Sequence, residues 1–448
     1  VSEVLGEAEA RELCQRILSA SATEAEVHVE SAVNGNSRYA ANQLTTGGEV
    51  FDTRATVTVR FGRRSASVTF NALERSGVTA AVRKAEGLAR LAPENAEQMP
   101  LLEPQPYGER VAFFDSTREL GPAPRAEAAR VVTDAAERSG LVASGFLVRS
   151  ASSTAVANSR GLFAFARSTV ASHTVTARTA DGGGSGWAGT THNDWGRMAL
   201  PAELAERAGA KAQRSVAPVE VQPAPYTVVL EPAAVGSLMR RLAAGLDARA
   251  ADEGRSAFSR PGGGNRIGER VTDERVTLYS DPLDPELLEV PFTDRGEPLR
   301  RTVWIENGVV RNLAYDRFWA DRQQTSPTPM GGGIKLEGAS GSAEDLVSGV
   351  ESGLLVTRLW YIRAVDPRDL LYTGLTRDGT FLIENGEVTR AVKNLRFNQS
   401  LVEMLNNVEA IGASKRVVAA ESGGLGSAVA VPPLVVRNLR FTSSSDAI

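Results

Sequence analysis

Hydrophobic positions change their period several times along the chain. From Ser2 to Ser19, Val4, Leu5, Ala8, Leu13, Ile17 and Leu18 share one face at helical spacing, which predicts an amphipathic helix. Ala25–Glu30 and Thr56–Phe61 instead alternate apolar and polar residues, the pattern of half-buried strands, with His28 on the polar face of the first. Gly47-Gly48 is expected to turn the chain, and Gly62-Arg63-Arg64 to lead into another strand over 67–70. The stripe Val78, Ala81, Val82, Ala85, Leu88 and Ala89 predicts a helix over 77–92, stopped by Pro93.

Prolines 93, 100, 104, 106, 122 and 124 make 93–124 a linker, after which a helix runs to Ser139. A strand meander is expected over 142–178 with a turn at Asn158–Gly161, then a glycine-rich loop over 181–190 and a helix over 202–213. Pro218, Pro223 and Pro225 mark a boundary. Beyond it stand a strand at Tyr226–Glu231, a helix at Ala233–Ala251 and mostly short strands. The tetrapeptide Ile-Glu-Asn-Gly occurs at 305–308 and again at 383–386, and Asn-Gly between β-formers signals a tight hairpin. Ser342 opens a helix expected to end at Gly353, and Ser400 with Glu403 forms a capping-box sequence. The fold class is α+β: N-terminal mixed α/β modules over 1–115 and 116–220, then a β-rich C-terminal domain with a few helices over 221–448.

Composition adds exclusions. The net charge of −4 supplies no basic field for nucleic acid. No apolar run is long enough to span a membrane, and the acidic start Val1–Glu7 is unlike a signal peptide, so the cytoplasm is the expected compartment. Cys14 is the single cysteine and falls on the apolar side of its helix, which reads as a small core residue.

Candidate chemistry is sparse. Gly182–Gly186 and Gly262–Gly264 do not follow a strand and open a helix as a dinucleotide fingerprint requires, and they read as structural loops. The three histidines, His28, His173 and His192, are never a helical turn apart, and no Gly-x-Ser-x-Gly elbow is present. Asp281-Pro-Leu-Asp284 and Asp366-Pro-Arg-Asp369 read as turns. The aromatic pairs Phe318-Trp319 and Trp360-Tyr361 suit a core or an interface better than a peptide wall.

One ordered set of segments says more. It comprises Ala25–Val29, Ser37–Gln43 and Val59–Ser67, then Tyr226–Leu230 with Gly254–Ser259, then Gly268–Val271 and Leu278–Pro282. Pro291–Pro298, both Ile-Glu-Asn-Gly repeats, Ala314–Arg317, Gly353–Thr357, Val392–Asn394 and Met404–Val408 follow. In this order, over nearly the whole chain, they resemble the TldD/PmbA family, also described as modulators of DNA gyrase. The resemblance implies a two-subunit metallopeptidase. Its TldD-like subunit carries a His-Glu-x-x-x-His helix after the strand matching Tyr226–Glu231, and a distal cysteine. Here the comparable positions hold Arg240, Arg241 and Gly245, and no cysteine follows residue 14. Arginine cannot ligate a metal. The resemblance therefore implies a TldE-like, non-catalytic subunit without metal or other cofactor. Its partner would be a TldD-like chain in a heterodimer, with a homodimer possible alone, and its substrate an unfolded or precursor peptide. Tyr315, Arg317, Trp319 and Gly331-Gly332-Gly333 are the expected chamber-lining residues, the glycines because a substrate backbone can approach them closely. Two other readings stand beside it: an independent hydrolase or biosynthetic enzyme of the same family, and a non-enzymatic protein-binding regulator of the gyrase-modulator type.

Overall fold

The structure is a computed structural model and describes residues 3–419 and 425–445. Its first half is the sequence of elements α-β-β-β-α written twice. The first copy is α1 (Glu7–Ala20), β1 (Ala25–Ala40), β2 (Gln43–Phe61), β3 (Arg64–Phe70) and α2 (Arg75–Leu91). A short helix, α3 (Asp115–Arg118), precedes the second copy: α4 (Pro122–Arg138), β4 (Leu141–Asn158), β5 (Phe163–Thr179), β6 (Ser185–His192) and α5 (Pro201–Arg214). All six strands form one antiparallel sheet in the order β3-β2-β1-β4-β5-β6. It draws strands from both sides of the boundary expected at 115/116. The long strands carry two cores. Leu13, Ile17, Val78 and Val82 of α1 and α2 cover Val27, Val29, Val57 and Val59. Val132 and Leu204 of α4 and α5 cover Ala143, Val175 and Ala177.

Three expectations are corrected here. The first helix begins at Glu7, because Gly6 is its N-cap and Leu5 donates its N–H to Ser31 Oγ. Gly47-Gly48 lie inside β2. The turn falls instead at Ala41-Asn42, both with positive φ, and the Asn42 amide is fixed by Leu141 O and Ala143 N. Gly35 makes room for the fully buried Arg125, which donates to Gly48 O at 3.2 Å and Leu120 O at 2.8 Å. The glycine-rich loop stops at Gly184, and Ser185–His192 is strand β6, where Gly184 and Gly186 let the sheet meet the backbone of α5.

The second half begins with β7 (Pro225–Leu230), α6 (Pro232–Ala244) and α7 (Ala248–Asp252), then β8 (Leu278–Ser280), β9 (Thr302–Glu306), β10 (Val309–Val310), α8 (Arg317–Arg322) and β11 (Ile334–Leu336). It continues with α9 (Ala343–Ser348), β12 (Ser352–Asp366), β13 (Leu371–Glu384), β14 (Glu387–Ala391), β15 (Asn394–Ser400) and α10 (Leu401–Asn406). The last strands are β16 (Val408–Ile411), β17 (Lys415–Val417), β18 (Val429–Val431) and β19 (Leu434–Ser445). One sheet runs β10-β9-β8-β11-β18-β17 and the other β12-β7-β19-β15-β13-β14. β13 also pairs with β12, so five strands of the latter close into a ring. A single large core spans both sheets and α6.

Both Asn-Gly hairpins form, with Asn307, Gly308, Asn385 and Gly386 at positive φ. The helix opened by Ser342 has its capping box but ends at Ser348, since Ser352 already begins β12. The helix expected over 233–251 is broken. Ala314 exchanges backbone hydrogen bonds with Leu246 and Ala248, which pulls that segment out of helical geometry, and Asp247 recaps α7 through Ala250 N. No described helix is long and apolar enough to cross a membrane.

A cleft around Glu289 as the candidate functional site

A cleft of about 440 Å³ lies where the six-stranded sheet meets the C-terminal half. One wall is Ser168–Val170 of β5 with Asn193 just beyond β6; the other is the 288–294 loop, Met330-Gly331-Gly332, Arg416 of β17 and Gly426–Ala428. Glu289 organises it. Its Oε2 accepts from Gly332 N at 2.9 Å and Gly333 N at 3.0 Å, while its buried Oε1 has no hydrogen-bond partner. Burial pushes this carboxyl above its ordinary range, only partly offset by the two N–H groups and the nearby Arg416.

The glycine run is what lets this carboxylate in. A Cβ on Gly331 would lie 2.6 Å from Glu289 Oε1, and one on Gly333 2.9 Å from the same atom, while one on Gly332 would strike Ser427. Arg416 donates through Nη1 to Asn193 Oδ1, joining the two halves across the cleft, and its Nε has no partner. Burial lowers Arg416 to about 10. Beside Asn193, the buried His192 accepts from Asp194 N through Nδ1 at 2.9 Å, which places its proton on Nε2, an atom left unpartnered. Burial and the charges of Arg416 and Arg197 keep that ring neutral. Three buried polar atoms without partners, one acceptor and two donors, thus gather in and beside a single cleft. Such atoms call for a ligand or water.

The expected site residues fall in separate places. Gly331 and Gly332 line the cleft and Gly333 supports Glu289. Tyr315 and Trp319 belong to another knot, in which Asn265 donates to Asp252 and to the Tyr315 hydroxyl and Trp319 Nε1 donates to Asp252 at 2.7 Å. Arg317 reaches Pro100 O at 2.7 Å. Arg240 is exposed on α6 beside Gly426, at the rim of the cleft. Arg241 turns back to its own helix, donating to Ser237 O at 2.7 Å, and Gly245 caps α6 against Leu370. Sequence reasoning did not single out Glu289, Asn193 or Arg416. They come from three distant segments, and none stands in a motif.

Residues 223–443 match the family description "PmbA/TldA metallopeptidase C-terminal domain", and residues 103–216 the corresponding central domain. A metalloprotease of Archaeoglobus fulgidus is 27% identical over 168 residues, 32% of this chain and 36% of that protein. A metalloprotease of Methanothermobacter thermautotrophicus is 23% identical over 258 residues, 53% of this chain and 54% of that protein. The matched region thus spans about a third to a half of these curated relatives. Among solved structures, TldE from Thermococcus kodakarensis superposes with a TM-score of 0.85 at 20% identity, covering 97% of this chain and 100% of that one. A proposed modulator of a DNA gyrase from Thermotoga maritima superposes with a TM-score of 0.84 at 16% identity, covering 96% and 100%. The side chains of α6 and its C-cap do not suit a metal: Arg240 and Arg241 carry guanidiniums and Gly245 has no donor. Among the described residues no three His, Cys, Asp or Glu side chains gather as ligands. Two domain matches along the chain and a shared fold over nearly its full length give one conclusion: the chain belongs to the PmbA/TldD family.

Proposed function

We propose that this chain is the metal-free, TldE-like partner of a TldD-like metallopeptidase, working in the cytoplasm on unfolded or precursor peptides. The partner supplies the metal and its activated water. This chain supplies a wall of the peptide chamber, the cleft around Glu289. The observation that supports the reading is that α6 and its C-cap, with Arg240, Arg241 and Gly245, offer no metal donor beside a cleft lined by Gly331, Gly332 and Gly426. An extended peptide fits such a floor because its main chain can come close without meeting side chains. Glu289, on the cleft wall, supplies a carboxyl group for its amides.

The test is co-expression with a TldD-like chain carrying the histidine motif. A co-purifying pair that cleaves unfolded peptide in a chelator-sensitive way, with neither chain active alone, is expected. Failure of the two to associate, or chelator-sensitive cleavage by this chain by itself, sinks the reading.

A further inference from the structure

We propose that two copies of this chain join through β2, antiparallel about a two-fold axis at Gly48, so that their N-terminal sheets become one. β2 is the longest strand of its sheet, yet β3 covers only Ala55–Phe61 of it. The outer side of Gln43–Arg54 has no strand beside it. Among the described residues, the main chain of this stretch has one hydrogen bond outside its ladder with β1: Gly48 O accepts from Arg125 Nη2 at 3.2 Å. Residues 43–52 are all exposed, hence on both faces of the strand, and Leu44, Val50 and Phe51 are among them. An outward row of N–H and C=O groups is matched along its length by another extended segment.

The stretch lacks the devices that keep a second strand away. It holds no Pro and no Lys. Glu49 is engaged by the buried Arg149 and by Arg125 Nη1 at 3.4 Å, and Arg54 is held by Glu30 at 2.7 Å. Gly47 and Gly48 leave the middle of the stretch free of side chains, so two main chains can come together there. The order of residues fits a second copy. About a two-fold axis at Gly48, Thr46 of each copy lies opposite Val50 of the other, a β-branched pair made twice. Glu49 meets Gly47 of the other copy and Asp52 meets Leu44, so no like charges stand opposite each other. An axis one residue on, at Glu49, would set two carboxylates face to face. Such a contact uses one patch twice and closes, which gives a dimer and not a chain of molecules. It does not depend on the proposed pairing with a metallopeptidase.

The experiment is sedimentation velocity of the full chain alone, over a range of micromolar concentrations. The wild type is expected to be a dimer. Thr46→Lys with Val50→Lys sets lysines opposite each other at both pairs and should weaken the dimer about tenfold or more. Thr46→Glu with Val50→Lys sets opposite charges there and should restore it. Both positions are exposed, and circular dichroism checks that the variants fold. Amide exchange over 43–54 in the wild type should slow as concentration rises, which decides without any substitution. A monomeric wild type overturns the proposal, including one whose β2 binds a TldD-like chain instead. So does a dimer indifferent to the two lysines, a folded glutamate–lysine variant that dissociates as the lysine variant does, or exchange over 43–54 that ignores concentration.

Discussion

In the cleft, Glu289 is a partly exposed carboxyl group held by two backbone N–H groups; inside the N-terminal sheet, His173 of β5 is a fully buried imidazole whose Nε2 meets the Tyr39 hydroxyl at 3.0 Å. Burial favours the uncharged form of each, yet the two sites answer acid in opposite directions. Burial raises Glu289, so the folded chain holds that proton more tightly than the unfolded one. Its contribution to stability is full below the unfolded value and is lost as pH rises through the folded one. Burial lowers His173 to about 4 from 6.5, so its contribution is full above 6.5 and is lost as pH falls toward 4. The cleft and the interior of the N-terminal sheet therefore carry internal markers of opposite sign.

The comparison breaks most sharply at Glu289. Glu289→Ala strands the buried Gly333 N–H and leaves the exposed Gly332 N–H to water, so at one buried donor left unmade a loss of about 1–3 kcal/mol is expected in denaturant unfolding. Glu289→Gln keeps the shape and isolates the proton: the wild type should gain stability over this variant as pH is lowered toward 4.5. A flat difference would mean that the carboxyl is not buried as described. Within the sheet, His173→Phe should remove an acid-induced loss of about 3 kcal/mol between pH 6.5 and 4, the free energy of a shift that size. Equal acid sensitivity of the two proteins in thermal unfolding would place the effect elsewhere.

Gly332→Ala sharpens the picture of the cleft, since the new methyl group meets Ser427. A cost of about 1–3 kcal/mol is expected in denaturant unfolding, typical of overpacking, and in the proposed pair it should be accompanied by weaker peptide binding. The smallest effect belongs to the rim. Arg197 is half exposed and pairs with Glu286 at 3.3 Å. Arg197→Ala should change stability by less than about 1 kcal/mol, as exposed pairs do, and a larger loss in urea titration would show that the rim is not merely solvated.

What the sequence discloses follows the range of the forces involved. The Asn-Gly hairpins, the Ser342 cap and the burial of Cys14 rest on neighbours within a few residues, and each stands where its pattern placed it, as does the α2 stripe apart from Leu88, which is exposed. The errors occur where distant chain overrides local preference. Asn42 is clamped by β4, a hundred residues away, and moves the turn from Gly47-Gly48; Ala314 breaks the helix after Ala244. The cleft was half legible. Its glycines could be suspected from the conformations they permit, whereas Glu289, Asn193 and Arg416 acquire meaning only once three segments meet.

The strand order of the large sheet has a practical corollary. β1 lies between β2 and β4, paired with the latter from Glu26 to Tyr39. A shortened chain starting at the second α-β-β-β-α copy would expose the side of β4 that β1 covers from Gly145 to Asn158, a ribbon with its outward amides and carbonyls unsatisfied. Such a ribbon recruits strands from other molecules, so the opening seventy residues act as the sheet's built-in guard against aggregation.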